Sequence, residues 1–143
     1  MQRELIKNIN AINNSIDELC SSINRSRDEI TLIAVSKKKS FELVKIALEN
    51  GINNFGENYA QELQEKSSLI DSDNIVWHFI GPIQSNKVKV IANNADWIHT
   101  LEREKIIRKF NDDNEEIVAL IDPSNLENVV PAIAITIHKS QGS

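Results

Sequence analysis

Leu5, Ile9, Ile12, Ile16, Leu19 and Ile23 recur at alternating spacings of four and three residues, which gathers them on one face of a helix. The opposite face carries mostly Asn, Asp, Glu and Ser. After the polar turn Ser26-Arg-Asp-Glu29 the pattern changes to an apolar run, Ile30-Thr-Leu-Ile-Ala-Val-Ser-Lys37, expected to be a buried strand that opens into a loop at Lys37. A helix over residues 40–50 follows, with Ser40 as its amino-terminal cap and Gly51 just past its end. The same alternation then repeats. Strands are predicted at 52–55, 75–80, 97–99 and 117–121, and helices at 59–69, 85–93 and 102–110. Strands separated by helices of this length indicate βαβ units and a parallel sheet. The turn signal Asp122-Pro-Ser-Asn125 ends the alternation, and the apolar segment Val129-Val-Pro-Ala-Ile-Ala-Ile-Thr-Ile137 comes after it. Pro131 confines any strand there to an edge, or to starting at the proline.

At 143 residues, 41% hydrophobic and 26% charged, the chain falls within the range of one ordinary soluble domain. A complete eight-stranded β/α barrel usually takes about 250 residues and rarely fewer than about 200. The expected fold is therefore α/β, a partial (β/α) TIM-type barrel of about five βα units after an amino-terminal helix. A formal net charge of −5 offers no overall basic field for nucleic acid or an anionic membrane. Cys20 is the only cysteine, which rules out an intramolecular disulfide and a cysteine metal cluster and fits a reducing compartment. No run approaches the ~20 apolar residues that span a bilayer, and a cytoplasmic protein is expected.

In parallel β/α sheets, ligands gather at the carboxyl ends of the strands. Strand alternation puts Ile33, Val35 and Lys37 on one face, the one that would line a barrel interior, and Ala34, Ser36 and Lys38 on the other. A lysine amine held there suits imine chemistry, because neighbouring cations such as Lys38, Lys39 and Lys87 favour its neutral, nucleophilic form. On pattern alone, Lys37-Lys-Lys39 also reads as a solvated charge run. Gly56-Glu-Asn-Tyr59 makes a turn in which Asn58 can cap the next helix or bond a ligand. In the third strand His78 and Ile80 share one face, and Trp77 and Phe79 share the face expected to lie under helices. A lone strand histidine is more often a hydrogen-bonded core residue than a catalyst, so His78 is placed near the pocket without a proton-transfer role. Ser85-Asn-Lys87 opens the next helix, where free N–H groups favour an anion, and a cap by Ser85 explains the same residues.

Three motifs in order, Ala34-Val-Ser-Lys37, Gly56-Glu-Asn-Tyr59 and His78-Phe-Ile-Gly-Pro-Ile-Gln-Ser-Asn-Lys87, resemble the signatures of the pyridoxal-phosphate homeostasis proteins, a family of cofactor-binding domains with the alanine-racemase type of barrel. The resemblance runs over residues 1–121. It implies binding and buffering of pyridoxal 5'-phosphate without turnover. Lys37 would form the Schiff base, Asn58 would lie beside the ring, and His78, Asn86 and Lys87 would line the mouth. The serine-bearing and Arg-Ile-Gly-type motifs that hold the phosphate in that family are missing, and no glycine-rich phosphate loop compensates, since the four glycines lie at 51, 56, 81 and 142.

Residues 122–143 form a divergent tail, in which Ala134-Ile-Thr-Ile-His-Lys-Ser-Gln-Gly-Ser143 resembles the Thr-x-His-Lys-Ser-Gln-Gly motif of RecD-like DNA helicases. No ATP-binding loop accompanies it, and a truncated or fused reading frame is the expected origin. The rival readings are a fragment of a racemase or decarboxylase of the same barrel type, which would need an acid/base on the opposite side of the cofactor, and a fragment with no ligand. An open half barrel would leave its first and fifth strands as edges, unless residues 129–137 fold back over one. The chain is then expected to be a monomer or to associate weakly through those edges.

Overall fold

The computed structural model describes residues 1–113 and 132–136. Helix α1 (Gln2–Ser22) precedes four βα units, β1 (Thr31–Val35) with α2 (Phe41–Glu49), β2 (Asn54–Glu57) with α3 (Ala60–Leu69), β3 (Val76–Phe79) with α4 (Val88–Asn94), and β4 (Trp97–Ile98) with α5 (Glu104–Asp113). A last strand, β5 (Ala132–Thr136), completes a sheet in the order β4-β3-β2-β1-β5, with every pairing parallel. The helix signals act as expected at α2. Ser40 Oγ accepts the Leu43 N–H at 3.4 Å, and Gly51 takes the left-handed backbone (φ 91°) that favours glycine just past the helix.

Strand parity separates two environments. Ala34, Phe55, Trp77 and Phe79 pack against Leu5 and Ile9 of α1, Val44 and Ala47 of α2, Leu63 of α3, Val88 and Ile91 of α4 and Ile106 and Phe110 of α5. This is the helix-side core. The opposite face brings Ile33, Gly56 and Ile80 together; a methyl group on Gly56 would meet Ile80 Cδ1 at 3.0 Å and Ile33 Cγ2 at 3.3 Å. The aromatic pair Trp77 and Phe79 thus lies under helices, as strand alternation predicts.

Two expectations need correction, the inner face of α1 and the helix at 85–93. Leu19 and Ile23 are exposed, and Cys20 is buried in their place. A helix turns by ~100° per residue, so four residues after Ile16 points closer to the sheet than three do, and the face drifts from Leu19 onto Cys20. The opening into a loop at Lys37 is as expected: strand β1 ends at Val35, and Lys37 stands in a turn two residues beyond the ladder. The helix expected over 85–93 is a 3-10 turn, Ser85–Lys87, followed by α4, and Ser85 makes no capping bond at either start. Of the two alternatives for the edges, the one observed is that residues 129–137 fold back over β1, since β5 pairs along it from Thr31↔Ala132 to Val35↔Thr136. That strand begins directly after Pro131, which has no N–H to give to a ladder. The edges of the described sheet are β4 and β5. The strand predicted at 117–121 lies outside the described residues, as does all of the helicase-like tail after Thr136.

Candidate functional site

The ladders align Val35, Gly56, His78 and Trp97 in one row across β1 to β4. Two residues further along each chain stand Lys37, Asn58, Ile80 and His99, so register gathers these four at the carboxyl end of the sheet. Lys37 is half-buried, and its amine has no hydrogen bond or ion pair among the described residues. Asn58 does not cap α3, whose first turn carries no side-chain cap. Its Oδ1 is buried without a hydrogen-bond partner among the described residues, an acceptor left open for a donor. Gly81 packs directly on the Asn58 backbone, where a methyl group would come within 2.1 Å of the Asn58 carbonyl oxygen. Thr100 Oγ1 donates to the Gly81 carbonyl at 2.6 Å, and Arg103 Nη2 donates to the Ile83 carbonyl at 2.6 Å. The second and third sequence motifs therefore meet backbone to backbone.

His78 lies one layer below this mouth, almost fully buried, with both ring nitrogens engaged. Its Nε2 is 2.8 Å from Asn54 Oδ1 and its Nδ1 is 2.9 Å from His99 Nε2. Asn54 Oδ1 can only accept, so His78 Nε2 carries the proton and His99 Nε2–H donates to His78 Nδ1. Burial first, and then the His99 charge, pushes the His78 pKa down to about 4. Burial lowers His99 as well. Trp97 stacks over the His78 ring at 6.3 Å between centroids. His78 is thus a neutral, hydrogen-bonded core residue, and His99 is the imidazole at the level of Lys37. Asn86 and Lys87 are exposed on the 3-10 turn, and no described contact joins them to Lys37 or Asn58.

A second polar group lies on the helix side and was missed in the sequence. Ser36 and Glu57 are fully buried, and Lys66 of α3 is nearly so. Lys66 Nζ donates to Glu57 Oε1 at 2.6 Å, to the Ser36 carbonyl at 2.6 Å and to Glu62 Oε2 at 3.2 Å. Ser36 Oγ donates to the same Glu57 oxygen at 2.6 Å. Burial pushes the Glu57 pKa up to about 7, even though Lys66 and Ser36 pull against it. Partial burial raises the Glu62 carboxyl, but the Lys38 N–H, Glu57 and Lys66 outweigh it and hold Glu62 below its ordinary value. The signal was present: Glu57 shares strand parity with Phe55, and Lys66 shares a helix face with Leu63, so opposite charges occupy positions otherwise reserved for apolar side chains.

This cluster shapes the turn that carries Lys37. The Ser36 carbonyl accepts the Lys39 N–H at 3.0 Å, and Lys38 takes a left-handed backbone (φ 58°) at a cost of about 1–2 kcal/mol for a non-glycine residue. Both Glu62 oxygens accept the Lys38 N–H, at 2.9 and 3.2 Å. Among the described residues no cluster of three or more His, Cys, Asp or Glu could hold a metal, and no helix is long and apolar enough to cross a membrane.

Parallel βα units with a lysine at the mouth of the first strand define an α/β chain, a class that includes the β/α barrels. Comparison with known proteins makes the kinship specific. The chain is 42% identical over 107 residues to the pyridoxal phosphate homeostasis protein of Haemophilus influenzae, a match covering 73% of this chain and 45% of that protein. It is 39% identical over 134 residues to the protein of the same name from Buchnera aphidicola subsp. Schizaphis graminum, covering 91% of this chain and 58% of the relative, which carries the match past residue 121. Among solved structures, PipY of Synechococcus elongatus with PLP bound superposes with a TM-score of 0.60 at 30% identity, over 71% of this chain and 49% of PipY. No family model matches the chain. The chain is a homologue of the pyridoxal phosphate homeostasis proteins with the fold of part of their barrel, and it spans about half the length of the curated relatives it matches.

Proposed function

We propose that this chain binds pyridoxal 5'-phosphate, with Lys37 as the covalent anchor and Asn58 beside the ring, and that it carries or buffers the cofactor without turnover. The observation that carries this reading is the pairing of a free, half-buried Lys37 amine with the unpartnered Asn58 Oδ1 at the same level of the sheet's carboxyl end. When bound, the cofactor supplies an aldehyde that condenses with an amine. The residues present fit the aldehyde and ring end of such a ligand: a lysine, an open acceptor for a donor group, and a backbone cradle at Gly81 that admits no side chain. Among the described residues the phosphate end is not matched, because Asn86 and Lys87 sit on an exposed 3-10 turn and α4 has only seven residues. Phosphate therefore contributes little, and pyridoxal should bind nearly as well as its phosphate.

Residues 1–121 would form most of the cofactor-binding unit, and the tail 122–143 would add β5 to its sheet. The protein would work in the cytoplasm, as a monomer or a weak associate through the β4 and β5 edges. The racemase or decarboxylase reading needs an acid/base across the cofactor from Lys37, and His78 does not offer one, because both its ring nitrogens are engaged in the core. Borohydride reduction in the presence of pyridoxal 5'-phosphate, followed by peptide mapping, should label Lys37. Label on Lys38 or Lys39, or spread evenly over surface lysines, overturns the assignment.

A further inference from the structure

Lys37 occupies the second position of a turn that one local hydrogen bond closes, from the Lys39 N–H to the Ser36 carbonyl, and that α3 holds from outside. The carbonyl before it, that of Ser36, takes the Lys66 ammonium at 2.6 Å. The N–H after it, that of Lys38, goes to both oxygens of Glu62. Glu62 and Lys66 are one turn apart on α3 and bridge each other at 3.2 Å, and Lys66 is tied in turn to the buried Glu57. Two oppositely charged side chains of one helix thus grip the backbone on either side of the residue whose amine is free. Neither touches that amine in any described contact.

We propose that Glu62 and Lys66 are positioning residues for Lys37, acting through the Ser36–Lys39 turn to hold its amine toward the mouth of the sheet. The inference rests on the reading that Lys37 carries the cofactor. In the covalent step the amine nitrogen bonds the aldehyde carbon, and the carbonyl oxygen leaves as water with the two protons of the amine. That step needs the nitrogen delivered to one point, and a turn free to relax from its left-handed Lys38 conformation delivers it less often. Glu62 matters for the acceptor it provides, Lys66 for the donor, and a side chain of the same length without either group cannot replace them.

The test uses the full chain with pyridoxal 5'-phosphate as the probe. The variants are Glu62→Leu, Glu62→Gln and Lys66→Met, and the readout is the cofactor concentration that half-labels Lys37 after borohydride reduction, alongside circular dichroism and thermal unfolding. Glu62→Leu and Lys66→Met should raise that concentration about tenfold, equivalent to roughly 1.4 kcal/mol, with labelling of exposed lysines unchanged. Glu62→Gln keeps an acceptor for the Lys38 N–H and should restore most of the wild-type value. If wild-type Lys37 is labelled and the folded Leu and Met variants label it at the same concentration, the cluster is purely structural and the proposal falls. If wild-type Lys37 is not labelled at all, the cofactor reading itself falls, and the proposal with it. Glu62 is partly exposed, so its two variants decide the question even where Lys66→Met does not fold.

Discussion

Two buried polar groups flank the same strands, and they solve the problem of burial in opposite ways. On the helix side, Glu57, Lys66 and Ser36 bring charge into the core and direct it at backbone atoms next to Lys37. On the other face, Asn54, His78 and His99 form a neutral relay of side chains, with burial holding both imidazoles uncharged. Asn54 and Glu57 belong to one four-residue strand and lie three positions apart, so pleating sends them to opposite faces. A charged pair costs desolvation, which offsets much of its attraction, and its retention makes sense where it shapes something. Here it shapes a turn. The neutral relay needs no such justification, since each buried nitrogen is satisfied at little electrostatic cost.

The sharpest way to break this contrast is Lys66→Met. Removing one partner of a buried pair destabilises by about 3–5 kcal/mol when the other stays charged. The loss should be largest near pH 8 and smaller near pH 5, where Glu57, with its pKa already raised to about 7, is protonated and leaves no unpaired charge. Denaturant unfolding at the two pH values measures it. An equal loss at both would mean that Glu57 does not carry the charge.

The pH response of stability separates the two groups by sign. Glu57 has a folded pKa raised from 4.5 to about 7, so its contribution is fully present below 4.5 and is lost as pH rises through 7. His78 has a folded pKa lowered from 6.5 to about 4, so its contribution is present above 6.5 and is lost as pH falls through 4, with His99 acting in the same direction. Each amounts to something on the order of 3 kcal/mol, and between 4.5 and 6.5 they oppose each other. Relative to wild type, Glu57→Gln should lose stability as pH falls through this window, and His78→Gln should gain it. Parallel slopes for the two variants would contradict the opposed assignment.

The smallest expected effect comes from the neutral side. Asn54→Leu removes the acceptor for His78 Nε2–H and should cost about 1–3 kcal/mol, the penalty for one unsatisfied buried donor. Labelling of Lys37 should be unaffected, because Asn54 makes no described contact with its turn. A thermal shift together with the labelling assay checks both halves of this expectation.

The chain's order of elements was legible because its signals are local. Ser40 and Gly51 bracket α2 within one turn of each end, and alternation along β3 told Trp77 and Phe79 apart from His78 without any tertiary contact. The three motifs also located Lys37 and Asn58 correctly at strand ends. What escaped were relations between distant positions. Lys66 lies thirty residues from the Ser36 carbonyl it bonds, and His99 twenty-one from His78. The pairing of β5 with β1 spans an even longer separation. Periodicity and capping are properties of neighbouring residues, so the sequence by itself determined the alternation of strands and helices and the faces they present. Which charge meets which, and which edge residues 129–137 cover, depend on contacts between segments that only folding brings together, and the tertiary structure alone decided them.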